Sequence, residues 1–122
     1  MASAKIEVRL DEELQIVRQR IEGNMDLEDA DRIDSQTDEC RLRLPDPAAV
    51  RILVDAREIG RAAPRVRRRL AANLERPEVR KVAVWGGPPL VRVMVTFFRL
   101  GTGRRNLRAF ATEEEAIEWL VK

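Results

Sequence analysis

The sequence predicts an α/β fold: one domain over residues 1–122, with a mixed, mostly parallel sheet, an N-terminal antiparallel hairpin and about four helices. Three observations carry this. The length of 122 residues falls within the roughly 100–150 residues where single domains cluster. Strand-type and helix-type runs alternate through most of the chain with short connections, the pattern of a parallel sheet covered by helices. The run Val-Arg-Ile-Leu-Val at 50–54 suits a central strand buried on both faces.

The elements follow in order. Residues 5–10 set Ile6, Val8 and Leu10 against Glu7 and Arg9, a period of two that marks a half-buried strand. Asp11 and Glu12 turn the chain, and residues 14–21 set Ile16, Arg18 and Arg20 against Val17 and Ile21, completing a hairpin. Gly23 and Asn24 break that pattern. Asp26 is an N-cap with Asp29 three residues on, and Leu27, Ala30 and Ile33 share a helical face, so an acidic helix runs to about Thr37. A loop carrying Pro45 and Pro47 leads to the strand at 50–54. Pro64 opens a second helix with an apolar stripe of Val66, Leu70 and Leu74, ended by Pro77. Val79–Trp85 is the next strand, and Gly86-Gly87-Pro88-Pro89 is a sharp break. Residues 106–111 form the last strand, and Thr112 with Glu115 forms a capping box for a final helix that turns Ala116, Ile117, Trp119 and Leu120 inward.

Composition narrows the function. Apolar residues make up 44% and charged residues 36%, a soluble, folded balance with an ionic surface. There is no histidine and no tyrosine, and the only serines are Ser3 and Ser35. Without histidine, Ser-His-Asp and Cys-His catalysis have no general base. The single cysteine, Cys40, can neither close an internal disulfide nor build a metal site. No catalytic residue, metal or cofactor is therefore expected, and Asp55, at the end of the central strand, is the one carboxylate worth testing for catalysis. The charged N-terminus lacks an apolar leader, so a cytoplasmic location is expected.

Charge is unevenly spread: residues 1–39 carry net −7, residues 40–110 net +12 and residues 111–122 net −3. The cluster Arg65, Arg67, Arg68 and Arg69 could face nucleic acid or an anionic membrane. With no interleaved aromatics for base stacking, nucleic acid is disfavoured, and a solvated helix face paired with the acidic N-terminal half is the simpler reading.

These elements resemble the SpoIIAA-like proteins, the bacterial branch of the STAS/Sec14-like fold. The matching pieces are Ile52-Leu53-Val54-Asp55-Ala56-Arg57, Lys81-Val82-Ala83-Val84-Trp85-Gly86, Pro89-Leu90-Val91-Arg92 and the closing stretch from Phe110 through Thr112-Glu113-Glu114-Glu115-Ala116 to Trp119-Leu120. The resemblance implies a sheet of four or five strands with helices, and two kinds of role. Anti-sigma-factor antagonists carry a phosphorylatable serine after the central strand; Sec14-like domains hold a lipid behind a mobile apolar helix. Here the positions after that strand read Asp55-Ala56-Arg57-Glu58-Ile59-Gly60, with no hydroxyl for a phosphorylation switch.

The segment 90–100, Leu-Val-Arg-Val-Met-Val-Thr-Phe-Phe-Arg-Leu, alternates like a strand. The resemblance implies a helix. As a helix it confines Arg92, Thr96 and Arg99 to one stripe and leaves an apolar arc of roughly 220°, where a surface helix needs roughly 100°. A hydrophobic or lipid-like ligand, a membrane surface or a second subunit could cover the excess; simple burial under the C-terminal helix is the plain alternative. On the ligand reading Trp85, Leu90, Val93, Met94, Phe97 and Phe98 line the site, and Arg92, Arg99, Arg104 and Arg105 meet anionic head groups. Trp85 serves equally as core. The expected function is thus a non-catalytic module for an apolar ligand, peripheral to the membrane. The alternative is a protein-interaction or regulatory domain, homodimeric through the same segment.

Overall fold

The computed structural model describes residues 4–89, 91–92, 95–96 and 106–122. Six strands form one sheet: β1 (Lys5–Asp11), β2 (Ile16–Met25), β3 (Val50–Asp55), β4 (Ile59–Ala62), β5 (Val79–Trp85) and β6 (Leu107–Phe110). Its order is β1-β2-β3-β5-β6, with β4 on β2. Only β1 is antiparallel to its neighbour; β2, β3, β5 and β6 run parallel, as the βα alternation requires. Three helices have their bounds within the described residues: α1 (Leu27–Arg41), α2 (Pro64–Leu74) and α3 (Glu113–Leu120). About four were expected. The fourth falls on the 90–100 segment, where Val91, Arg92, Val95 and Thr96 are helical and the Thr96 hydroxyl donates to the Arg92 carbonyl at 2.9 Å.

Strand parity divides the core in two. Val17, Ile21, Ile52, Val54, Val82 and Val84 point to the face covered by α1 and α2, where Ala30, Ile33 and Val66 meet them. Ile16, Leu53 and Ala83 point to the other face, sealed by Ala116 and Leu120 of α3. β3 therefore needs apolar side chains on both sides, and it has them.

The helix starts follow local chemistry. Asp26 accepts from the Asp29 backbone N–H at 2.8 Å, and the Asp29 carboxylate accepts from the Asp26 backbone N–H at 3.0 Å, a reciprocal capping box. α1 then continues to Arg41, a turn beyond the expected end at Thr37. Pro64 occupies the first turn of α2. Thr112 caps α3 by accepting from the Glu115 N–H at 3.3 Å, but its hydroxyl donates to the Glu115 carboxylate, so the box is half made.

The expected boundary of β2 is corrected. The strand runs through Gly23 and Asn24 to Met25, because a short strand missing from the sequence reading, β4, pairs with it there. β3 flanks β2 from Val17 to Arg20, and β4 takes over the same edge after the turn at Arg57–Glu58. Gly23 and Asn24 are poor strand formers in isolation, but here the Gly23 N–H donates to the Glu58 carbonyl at 2.9 Å and the Asn24 side chain accepts from the Arg61 N–H at 2.7 Å. Gly60 permits the approach, since a Cβ there would stand 2.7 Å from the Gly23 carbonyl carbon.

The charge segregation resolves into helix–helix pairing. Arg69 of α2 pairs with Asp31 of α1 at 2.6 Å, and Arg76, just past α2, reaches Asp34 at 2.9 Å, Asp38 at 3.3 Å and Glu78 at 3.1 Å. Arg61, Arg65, Arg67 and Arg68 take no ion pair among the described residues. The cluster is thus split between a paired edge and an open one.

Candidate functional site

Between the sheet and the α1/α2 layer lies a cavity of about 640 Å³, within the range of small-molecule pockets. Ile21, Ile52, Val54 and Val84 form its floor, Ile33 and Leu70 stand in its helical walls, and Val91 and Val95 reach it from the 90–100 segment. Val91 and Val95 are one helical turn apart and half-buried, while Arg92 and Thr96 between and beside them are exposed. Charged side chains, among them Asp34, Arg41, Arg61 and Arg67, also border the space.

One polar pair stands in the apolar wall. Gln19, in mid-β2, is 6% exposed, and its amide nitrogen donates to the hydroxyl of buried Thr37 at 2.9 Å. The Thr37 hydroxyl donates to the Ile33 carbonyl at 2.6 Å. Sequence reading passed over Gln19. The signal was present: it is the polar residue between Val17 and Ile21 on an otherwise apolar strand face.

The structure separates the residues grouped from sequence. Val91 and Val95 line the cavity, and Arg92 lies outside it. Trp85 does not join them: it packs with Ile16 and Leu53 on the opposite face of the sheet. That follows from parity, since Val84 faces α1 and α2 and its neighbour must face away. Leu90, Val93, Met94, Phe97, Phe98, Arg99, Arg104 and Arg105 lie outside the described residues.

Trp85 borders a second, ionic cleft of about 220 Å³ that includes Arg18, Arg20, Asp55, Arg57 and Glu113. Arg57 lies over the Trp85 ring at 4.6 Å and forks onto Asp55, with its Nε at 3.1 Å from one carboxylate oxygen and Nη2 at 2.9 Å from the other. Burial raises the Asp55 carboxyl's pKa, but the bonds from the Arg57 side chain and backbone outweigh it and hold it below the usual value. An acid so held stays ionised near neutral pH and has little proton affinity for general base work. Among the described residues no cluster of three His, Cys, Asp or Glu side chains could hold a metal. Cys40 is buried, and burial pushes its thiol up, away from the reactive thiolate. Among the described residues no helix is long and apolar enough to cross a membrane.

A family model described as SpoIIAA-like matches residues 16–121. Among solved structures, an uncharacterised protein with a SpoIIAA-like fold from Shewanella loihica aligns with a TM-score of 0.70 at 15% identity, covering 98% of this chain and 95% of that one. That likeness speaks to the fold. No match is found among curated proteins.

Proposed function

The chain belongs to the SpoIIAA-like family, and from that premise we propose that it is a non-catalytic domain that binds an apolar, lipid-like small molecule between its sheet and its α1/α2 layer. The single observation that carries this reading is the cavity of about 640 Å³ with its floor of branched aliphatic side chains. An apolar space of several hundred Å³ forgoes dispersion contacts that a guest would restore.

The open arginine edge supports the same reading. Arg61 and Arg67 border the cavity, and with Arg65 and Arg68 they offer guanidinium groups to anionic head groups at a membrane surface, where an apolar guest would be taken up. A phosphorylation switch is no part of the proposal, because the turn after β3 is Ala56-Arg57-Glu58.

Native mass spectrometry of freshly purified protein, with solvent extraction, tests it. The expected result is a discrete added mass that solvent releases and that Val84→Phe, which fills the cavity floor, removes. A clean unliganded mass overturns the reading, and a dimer in the same spectrum would move the function to protein interaction.

A further inference from the structure

Gln19 carries information about the guest. The Thr37 hydroxyl has one proton, and it goes to the Ile33 carbonyl at 2.6 Å. Toward Gln19 it can therefore only accept, so the side chain of Gln19 must present its NH₂ to Thr37, as the 2.9 Å contact shows. That assignment turns Oε1 away from α1. Oε1 accepts no hydrogen bond among the described residues. Its neighbours on the sheet are apolar: the flanking residues on the same strand face are Val17 and Ile21, and the cross-strand partners are Val8 and Val54. Gln19 nevertheless lines the cavity. Oε1 is not among the sealed, unpartnered side-chain atoms of the described residues, so it reaches the open space that Gln19 lines.

We propose that Gln19 Oε1 is the orienting acceptor for the guest, so that the cavity takes a neutral apolar molecule bearing a hydrogen-bond donor of the alcohol class. A carboxylate has no proton to give Oε1. This inference rests on the ligand-binding reading above and adds the chemistry of the ligand.

Titration calorimetry with decanol and with its methyl ether tests it, because the pair differ in the hydroxyl proton. The wild-type protein is expected to bind decanol about five- to tenfold more tightly than the ether. Gln19→Leu, which leaves the Thr37 hydroxyl still bonded to Ile33, should erase that preference while the ether binds as before. Gln19→Met serves if the leucine variant does not fold. Equal affinities in the wild type, or a preference that survives in the variant, overturn the donor assignment and leave the cavity reading standing. Binding of neither compound overturns both.

Discussion

Ile52 and Leu53 are adjacent on β3, 1% and 2% exposed, and point to opposite faces of the sheet. Truncating either to alanine deletes the same three carbons. Their loss from an apolar environment costs about 2.4 kcal/mol at roughly 0.8 kcal/mol per methylene. At Leu53, packed among Ile16, Ala83, Ala116 and Leu120, a new void opens as well. That void adds up to about 2 kcal/mol at roughly 24 cal/mol per Å³, so Leu53→Ala should cost about 4 kcal/mol. Ile52 already borders the 640 Å³ cavity. Its truncation enlarges an existing space, and its cost should stay near or below about 2.4 kcal/mol. Urea denaturation of the two variants and the wild type, analysed at a common m-value, gives the difference. Equal costs, or a greater cost at Ile52, would refute the claim that this face is under-packed.

Two further predictions concern the scaffold. Asp29 is 1% exposed; burial raises its carboxyl's pKa, but the backbone N–H groups of Asp26 and Ala4 and the Arg32 guanidinium outweigh burial and lower it. Because the folded value lies below the unfolded one of about 3.8, the stabilisation is fully present above that pH and drains away as pH falls through the folded value. Asp29→Asn should therefore lose about 2–3 kcal/mol at neutral pH and show a shallower acid limb by circular dichroism; an unchanged limb counts against the network. Gly60→Ala should lower the thermal midpoint, at a cost of about 1–3 kcal/mol, because the new methyl presses on the backbone of Gly23 and Asn24; a wild-type midpoint would mean that β4 does not pack so closely on β2.

What the sequence determined by itself is the part governed by neighbours in the chain. A period-two run placed β1, and short apolar runs bounded by turn signals placed β3, β5 and β6. The Asp26–Asp29 box, Pro64 and Thr112 placed the starts of α1, α2 and α3, because caps act within one turn. The helical character of the described part of 90–100 came from family resemblance, against local β propensity. Long-range pairing decided the rest. β4 and the extension of β2 past Gly23 exist because each supplies the other's backbone partners across some 35 residues of chain. Parity put Trp85 opposite the cavity, but only the docking of α1 and α2 made one face of the sheet the hollow one. Gln19 could be read as an odd polar residue on an apolar face; its amide orientation and its open acceptor depend on where α1 sets Thr37 and Ile33, a matter of packing that no local pattern encodes.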